Sequence, residues 1–522
     1  MSKVATYQYD DLGRLVGVTF PNGAQAAYSY DEMGNRTTVV EVPPVITSDP
    51  PTVSAMPKKH CSDSINNIMM VLLSTGELVG WGDNTSGALA TGLANANSIV
   101  QGVTFDPNTT PPPSSATIVD WAMTNASLYV VYSNGWVYSA GDSSYGQLGH
   151  GDTAAQAQLK RIEYFVTNSK TITKVWAASS YIGTNGAGCC YFQADDKSMY
   201  GCGANAAGNL GNASTPTTNL NTPGPCAGVS TSPYVVEMAI SCFYASFNAY
   251  MLMSDGTLLV AGVNGQGQLG TNSTSNVTGG FVNAKKTGNV NITNVAGVSA
   301  TAAYPYGGSA LVYDTAGDVW TAGHNDYGQL GHGDTTARSL FTKVSALSNI
   351  TKAEIGGGYA AYAYAINSSG DFYGWGYNGN NNLFRNNSSA AYTPAVSSYT
   401  PGTVAKAFFP REQQLGGSSQ LIVVTTGGKL AYAGADLGQI GIANTIAAGA
   451  YKYVPTPASI LNGSEVITDV FVHGTSTSQR WFVLTDLGNL YSCGANANGV
   501  CVGGHYSASM TKTAFHKIRF AS

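Results

Sequence analysis

Two His-Gly-Asp triplets are the residues of this sequence that most resemble catalytic or metal-binding chemistry. They are His150–Asp152 and His332–Asp334, and a histidine beside a carboxylate can act as an acid–base pair or bind a metal ion. The other histidines are scattered along the chain, which has 7 in all. The sequence contains no nucleophile elbow, zinc-protease motif or phosphate loop, and no pair of carboxylates stands out. We therefore predict no catalytic residue, no metal, no cofactor and no enzymatic activity.

The 8 cysteines offer a second kind of chemistry, as disulfides, zinc ligands or buried thiols. Cys493 and Cys501 flank one predicted loop, and five others are clustered in the chain: Cys189, Cys190, Cys202, Cys226 and Cys242. Zinc sites need convergent ligands, typically with about two to four residues between paired cysteines, and this spacing is missing. We predict buried thiols, with a Cys493–Cys501 disulfide as an alternative that the sequence leaves open.

The composition indicates a folded chain with few charges. Hydrophobic residues make up 43%, charged residues only 10%, and there are 31 tyrosines, whereas disordered chains are rich in charge and poor in aromatics. The formal net charge is −5, and the lysines and arginines form no cluster, so we predict no nucleic-acid binding. No apolar run approaches a membrane span, and the first residues lack the apolar core of a secretory signal.

Eight copies of one motif organise most of the chain. The clearest copies are NGWVYSAGDSSYGQLG and AGDVWTAGHNDYGQLG, in which a strand-like run leads to an anchoring glycine, a polar loop and a leucine. The anchoring glycines recur roughly every 60 residues, as expected for stacked repeat units. They are Gly82, Gly141, Gly203, Gly262, Gly323, Gly376, Gly434 and Gly494. A second glycine lies six positions earlier in seven copies, and Lys197 takes that position in copy three.

Each copy predicts a strand, a tight turn and a returning strand, with one further strand before and one after. Runs such as MMVLLSTG and AYMLMSDG combine β-formers with turn residues, as hairpins do. Four short antiparallel strands per repeat are typical of a β-propeller blade. The residue before the anchoring glycine is mostly small, and we place it near a crowded centre. The leucine seven positions after that glycine is expected to pin the loop.

The motif resembles the regulator of chromosome condensation repeat family over roughly residues 57–522. The resemblance implies an all-β chain, and we predict a β-propeller of eight four-stranded blades. Seven blades, the usual number in that family, plus one displaced unit is the alternative. It also implies turn or packing roles for the two triplets and for Tyr145 and Tyr327. The basic patches needed for that family's best-known function, nucleotide exchange on a small GTPase with chromatin docking, are missing, so that function is not carried over.

Two copies depart from the motif. Copy six has Asn381 in place of the motif's loop glycine and Phe384 in place of its final glycine, and copy eight has Cys501 in the leucine position.

A shorter repeat precedes the propeller. Tyr7, Tyr9, Asp10, Gly13 and Arg14 recur further along, and the second copy is Tyr28, Tyr30, Asp31, Gly34 and, shifted by one, Arg36. This segment resembles the YD repeats of the Rhs family, in which many β-hairpins form a shell around a toxin. Two repeats bury little apolar surface by themselves. We therefore predict a β-hairpin docking segment over residues 1–41, a Pro-rich linker over 42–56 and the propeller over 57–522.

Two long polar stretches interrupt the repeat period, residues 93–116 and 212–232. Loops on one face of a propeller commonly carry binding specificity, so both stretches are candidate binding loops. No individual binding residue is assigned. We expect deletion of residues 93–116 to abolish partner binding and to leave thermal unfolding nearly unchanged.

These features favour a non-enzymatic surface-recognition or structural protein. The preferred hypothesis is a virion-associated adhesion module of phage tail or fibre type, or another particle-displayed binder. Its YD segment would bind another virion or particle protein, and the propeller loops would act as a receptor-binding face for a host surface protein or glycan. It would lie on a virion or extracellular particle surface, exported without a signal peptide. The alternative is a cytoplasmic regulatory scaffold, such as a propeller like the small-GTPase exchange factors. The sequence leaves open whether the chain forms a homo-oligomer.

Overall fold

The structure, a computed structural model, divides the chain into two compact units. One comprises Met1–Thr52 with Arg519–Ser522, and the other comprises Val53–Ile518. The described residues are 6–11, 14–19, 25–30, 36–42, 51–56, 68–94, 98–124, 126–180, 187–243, 246–303, 307–357, 360–385, 388–397, 402–409, 420–434, 452–453, 463–473, 480–494, 512–518 and 520. Among them, no helix is both long and apolar enough to cross a membrane.

The first unit contains a four-stranded antiparallel sheet with its strands in chain order. The strands are β1 (Thr6–Tyr9), β2 (Leu15–Thr19), β3 (Gln25–Tyr30) and β4 (Arg36–Val42). The turn after β1 is closed by Asp10, whose carboxylate accepts hydrogen bonds from Arg14 N at 2.8 Å and from Arg14 Nε at 2.7 Å. An aspartate four residues before an arginine therefore closes this hairpin turn.

The second unit is built from eight blades of four antiparallel strands, and two further strands extend the sheet of one blade, so the prediction of eight blades is confirmed. Blades one to four contain β5 (Val53–Ala55), β6 (Ile68–Leu73), β7 (Leu78–Gly82), β8 (Ser98–Gly102); β9 (Ile118–Met123), β10 (Ser127–Tyr132), β11 (Val137–Gly141), β12 (Gln156–Arg161); β13 (Ile172–Ser180), β14 (Ala187–Ala194), β15 (Met199–Gly203), β16 (Leu220–Pro225); and β17 (Val235–Phe243), β18 (Ser246–Met253), β19 (Leu258–Gly262), β20 (Val277–Asn283). A short helix, α1 (Glu163–Thr167), connects blades two and three.

Blades five to eight repeat the same arrangement. Their strands are β23 (Val295–Ala303), β24 (Gly307–Asp314), β25 (Val319–Gly323), β26 (Arg338–Lys343); β27 (Ile350–Gly356), β28 (Tyr362–Asn367), β29 (Phe372–Gly376), β30 (Ala391–Val396); β31 (Val404–Phe408), β32 (Gln420–Thr425), β33 (Leu430–Gly434), β34 (Lys452–Tyr453); and β35 (Ile467–His473), β36 (Arg480–Thr485), β37 (Leu490–Gly494), β38 (Lys512–Lys517). A small hairpin of β21 (Lys285–Lys286) and β22 (Val290–Asn291) extends the sheet of blade five.

The first strand of each blade lies innermost. Strand β9 contacts β13, β13 contacts β17, β17 contacts β23 and β23 contacts β27, so these strands surround the propeller axis and the fourth strands form the rim. The inner strands begin on the side where the second and third strands are joined by hairpins, which we call the hairpin face. The glycine loops that follow the third strands lie on the opposite side, the loop face.

One hydrogen bond recurs between neighbouring blades and also closes the ring. The first residue of an inner strand donates its N–H to the carbonyl of the hairpin glycine in the preceding blade. The pairs are Ile172–Gly135 at 3.1 Å, Val295–Gly256 at 2.9 Å, Ile350–Gly317 at 3.0 Å and Val404–Gly370 at 3.2 Å. Val53 donates to Gly488 in the same way, at 2.8 Å. Blade eight is thereby joined to blade one.

This closure moves the start of the propeller to Val53, inside the stretch for which a Pro-rich linker was predicted. Val53 is only 4% exposed and Met56 only 7%, so the segment is part of the core. A strand of three residues is too short to show an alternating pattern, and the neighbouring prolines hide it in the sequence.

The third strands lie third from the axis, so the residue before the anchoring glycine does not face a crowded centre as expected. It packs against the preceding blade instead: Trp375 Nε1 donates to the carbonyl of Gln329 in the loop of blade five at 2.8 Å. The anchoring glycine is required because Gly141 has φ +112° and a Cβ there would lie 2.1 Å from the Ala126 carbonyl oxygen. In copy six, Asn381 and Phe384 keep the left-handed backbone, with φ of 58° and 53°.

Both interrupting stretches contain a blade strand, which corrects their interpretation as loops. Strand β8 lies within residues 93–116, and β16 lies within 212–232. After β8 the chain runs beside the outer strand of blade two, where Asp106 N donates to Leu159 O at 3.0 Å and Tyr138 Oη donates to Thr110 O at 2.7 Å. Each stretch therefore crosses from the loop face to the hairpin face.

A buried asparagine two residues after the anchoring glycine organises the glycine loop in five blades, and the leucine pattern alone did not reveal it. These residues are Asn84, Asn205, Asn264, Asn325 and Asn378, all 0% exposed. The Oδ1 atom of Asn264 accepts from Leu269 N at 2.9 Å. Its Nδ2 donates to Thr271 Oγ1, Ser273 O and Ser275 O at 2.8–3.0 Å.

We expect Asn264→Ala to destabilise the propeller by about 3 kcal/mol, because the change leaves buried polar partners without hydrogen bonds. Urea unfolding followed by circular dichroism measures this change. Thr274→Ala, on the exposed part of the same loop, is the matched control and should change stability by less than about 0.5 kcal/mol. Equal stabilities of the two variants would contradict the assigned role of Asn264.

Candidate functional site

A bulge-like irregularity occurs at one equivalent position near the start of all eight inner strands. In blade three, for example, Ile172 pairs with Ala194 and Lys174 with Gln193, so one residue is skipped. We call the residue that follows the skipped one in each blade a member of the inner ring. The inner ring is Ala55, Asp120, Lys174, Glu237, Gly297, Lys352, Lys406 and Asp469. Bulges re-aim side chains and are concentrated at rims and functional sites.

The inner ring is far richer in charge than the rest of the chain. Six of its eight members are charged, whereas the 10% charged residues of the chain would place about one charge among eight positions at random. The ring holds three cations and three anions. Mixed signs in a small area suit the ion pairs and hydrogen bonds by which protein segments are recognised.

Ring residues reach toward the inner strand of the next blade. Asp120 Oδ2 accepts from Val175 N at 2.9 Å. Lys174 Nζ donates to Val236 O at 3.4 Å. Lys406 Nζ donates to Ile467 O at 3.3 Å and to Thr468 O at 3.0 Å. These contacts orient the charged groups around the axis, where they stay partly or largely accessible to solvent.

Glu237 of blade four and Lys352 of blade six interact electrostatically across blade five. Gly297 carries no side chain there, and a Cβ on it would lie 2.7 Å from Tyr313 Oη. Lys352 Nζ pairs with Glu354 Oε1 at 3.0 Å. Burial lowers the pKa of Lys352, but Glu354, Tyr313 and Glu237 outweigh it and leave that pKa raised.

Glu237 is solvent-exposed, although the protein around it still withdraws part of its hydration. This surrounding protein raises the pKa of the Glu237 carboxyl, an effect that Lys352 and Lys174 oppose and Glu354 reinforces. A carboxylate in this setting gains from an added cationic partner.

Sequence analysis missed the ring because the repeat motif lies on the third strand and its loop. A signal was present: VITDV, TITKV and VVEMA each place one charge in an otherwise uncharged run at the start of an inner strand. Only the structure shows that these positions are equivalent.

The two His-Gly-Asp triplets lie apart, in the glycine loops of blades two and five. His150 Nε2 lies 3.0 Å from Ser139 Oγ, and His332 Nε2 lies 2.9 Å from Thr321 Oγ1. Each hydroxyl itself donates to a leucine carbonyl at 2.8 Å, so the imidazole N–H is the donor to it. Among the described residues, no group of three or more His, Cys, Asp or Glu side chains is arranged to hold a metal ion.

These histidines predict a loss of stability in acid. Burial, reinforced by Lys160 for His150 and by Arg338 for His332, lowers both pKa values from 6.5 to about 4. The unfolded chain therefore binds more protons between these pH values, so their contribution to stability is full above pH 6.5 and is lost as pH falls to about 4. We expect the melting temperature to decline over this range, and His150→Gln with His332→Gln to flatten that decline. An unchanged slope in the double variant would contradict this origin.

The six described cysteines are all buried: Cys189, Cys190, Cys202, Cys226, Cys242 and Cys493. Cys501, and with it the alternative Cys493–Cys501 disulfide, lies outside the described residues. Of the two predicted packing tyrosines, Tyr327 contacts the ring of Tyr377 at a centroid distance of 5.2 Å. Tyr145 packs against the core cluster shared by blades three and four.

Comparison with known proteins supports both resemblances. The RHS repeat matches residues 6–42, and the regulator of chromosome condensation (RCC1) repeat matches residues 316–362. A stretch of 63 residues is 43% identical to the ultraviolet-B receptor UVR8 of Arabidopsis thaliana. That match covers 12% of this chain and 14% of the receptor, so it spans far less than two thirds of that relative.

Two solved structures are similar to this chain. Human WBSCR16 is similar with a TM-score of 0.50 and 16% identity, over 85% of this chain and 94% of that chain. Prp20p from Saccharomyces cerevisiae has a TM-score of 0.48 and 14% identity, over 81% and 91% of the two chains. At 16% identity the likeness to WBSCR16 concerns the fold alone. The chain is thus an eight-bladed β-propeller that carries an RCC1-type repeat, together with an RHS-type repeat over residues 6–42.

Proposed function

We propose that this chain is a non-catalytic binding module of regulatory type, and that the inner ring receives a charged segment of a partner protein. The observation that carries the proposal is the charge at six of eight equivalent inner-strand positions. The RCC1-type repeat and the local match to a receptor favour a regulatory scaffold over a particle-displayed binder.

The chemistry of the ring favours a protein segment as its ligand. Lys174 and Lys406 present ammonium groups, and Glu237 presents a carboxylate whose pKa is raised by burial. Balanced charge gives little net attraction for a phosphate backbone, which needs clustered cations. A peptide that carries both acidic and basic side chains can pair with both kinds of group.

Paired substitutions test the ring. We expect Lys174→Met with Lys406→Met to weaken partner binding at least tenfold, through lost ion pairs, with little change in melting temperature. The matched control is Lys343→Met with Lys517→Met, which removes the same charge from exposed positions on the outermost strands of blades five and eight. Binding that falls equally in both pairs would indicate a general charge effect and would contradict the proposal.

Site-specific photo-crosslinking locates the partner. A photoreactive residue at Ala55, the partly exposed uncharged ring member, should crosslink a protein in an extract of the source cell. The same residue at Ser144, exposed on the loop face, should not. Crosslinking from Ser144 alone would move the binding site to the loop face.

A particle-displayed binder is the second candidate, and the RHS-type repeat favours it. In that case residues 1–42 would bind a virion or secreted particle, and the propeller would face a host surface from outside the cell. Deletion of residues 1–50 would then abolish co-sedimentation with particles, whereas the ring variants would not. A regulatory scaffold in the cytoplasm predicts no particle association in any variant.

A further inference from the structure

Cys190 and Cys202 form a close pair in blade three. They are opposite each other on β14 and β15, both are 0% exposed, and their sulfur atoms lie 3.1 Å apart. Directly opposed residues of antiparallel strands have Cα atoms roughly 4.5–5.5 Å apart. That spacing falls inside the range of about 4.4–6.8 Å that disulfides require, so a bridge needs only a small movement of the side chains.

The fold does not require cysteine at these positions. The equivalent pairs in the other blades are Met69–Trp81, Leu128–Ala140, Ala249–Ala261, Ala310–Ala322, Ala363–Trp375, Leu421–Ala433 and Trp481–Cys493. Six of these pairs consist of two apolar residues, and the seventh, Trp481–Cys493, combines one cysteine with an aromatic residue. Among these eight pairs, blade three alone combines two thiols, and alanine is the tolerated alternative in blades four and five.

The pair also contacts the neighbouring blade. Cys190 Sγ lies 3.2 Å and Cys202 Sγ 3.3 Å from the carbonyl oxygen of Gln147 in the glycine loop of blade two. Tyr129 Oη donates to the same oxygen at 2.9 Å. In the reduced state, thiol protons therefore help to hold that loop against blade three.

We propose that Cys190 and Cys202 form a reversible disulfide that loosens the contact between blade three and the glycine loop of blade two. A small-molecule disulfide such as oxidised glutathione is the oxidant. One cysteine thiolate attacks the glutathione disulfide, whose S–S bond breaks and releases one glutathione thiolate. The second cysteine then attacks the mixed disulfide, the Sγ–Sγ bond forms, and a second glutathione leaves.

Two electrons pass to glutathione, and the two cysteine protons end on the two glutathione thiols, so the exchange is balanced. In the bridged state neither sulfur carries a proton, so neither can donate to the Gln147 carbonyl. Of the three side chains Tyr129, Cys190 and Cys202, Tyr129 alone then still donates a hydrogen bond to the Gln147 carbonyl oxygen. The loop keeps its own backbone turn and loses part of its attachment to blade three.

Burial makes this exchange slow. Burial, with the neighbouring Cys190 thiol, raises the pKa of the Cys202 thiol well above its usual value, and the thiolate is the reactive form. The reaction therefore proceeds through local opening of the blade. It should accelerate in urea concentrations below the unfolding transition.

The test uses the full chain with oxidised glutathione as the probe, followed by denaturation, alkylation and intact mass measurement. We expect oxidised protein to carry two fewer alkyl groups than reduced protein. Cys190→Ala and Cys202→Ala should each abolish this difference, since alanine occupies these positions in other blades. Cys189→Ala and Cys226→Ala, at neighbouring buried cysteines, should retain it. A difference that persists in Cys190→Ala, or full alkylation of the oxidised wild type, would overturn the pairing.

Hydrogen exchange provides a second readout that does not depend on the variants. Bridging should increase amide exchange severalfold over residues 143–149 and leave the equivalent loop of blade five, residues 325–331, unchanged. A bridge without this local increase would overturn the proposed loosening of the loop.

Discussion

Removal of residues 1–56 is expected to open the propeller, whereas removal of residues 1–50 should leave its ring closed. The two truncations differ by β5, which pairs with β6 and donates the Val53–Gly488 hydrogen bond between blades one and eight. Loss of β5 exposes the space filled by Val53 and Met56, each worth about 2 kcal/mol when buried. We expect the longer truncation to lower the melting temperature by roughly 5–10 °C relative to the shorter one.

Hydrogen exchange distinguishes an opened ring from general destabilisation. The longer truncation should lose protection in β6 and in the hairpin at residues 486–489, on the two sides of the closure. Strands β18 and β19, on the other side of the ring, should change least. Equal melting temperatures for the two truncations would mean that β5 does not close the ring.

Deletion of residues 93–116 is expected to unfold blade one rather than to remove a binding loop. The deletion takes away β8, a full strand of that blade, and the segment that bonds to Leu159 and Tyr138 of blade two. Phe105 also leaves an aromatic cluster, in which its ring centroid lies 5.2 Å from that of Tyr138. Together these losses exceed roughly 5 kcal/mol.

Calorimetry of the deletion variant should show a melting temperature lower by on the order of 10 °C. The matched control replaces only residues 111–115 with a Gly-Ser linker of equal length. That segment is largely exposed and should be replaceable with a shift below about 2 °C. A deletion variant that melts like the wild type would restore the interpretation of residues 93–116 as a dispensable loop.

The inner ring and the cysteine pair occupy different parts of the molecule and respond to different experiments. Charge variants at Lys174 and Lys406 test recognition at the inner strands. Oxidation of Cys190 and Cys202 tests a contact between blades that lies further from the axis. Either result stands without the other.

The repeated motif by itself determined the number of copies and the third strand with its loop, and the structure then decided for eight blades over seven plus one displaced unit. Glycine at a positive φ, as at Gly141, is a local requirement of the backbone, so it is visible in sequence at each copy. The same holds for the hairpin turns, because their residues set turn geometry within a few positions. Local chemistry of this kind repeats, and repetition makes it readable.

Only the tertiary structure decided which residues meet across blades. Val53 belongs to the propeller because Gly488, far along the chain, accepts its hydrogen bond. Lys174 and Glu237 share a ring because eight separate strands surround one axis and have the same irregularity near their starts. Such contacts depend on ring closure rather than on neighbours in the chain, so the single charges at the starts of the inner strands could be recognised as equivalent only in the structure.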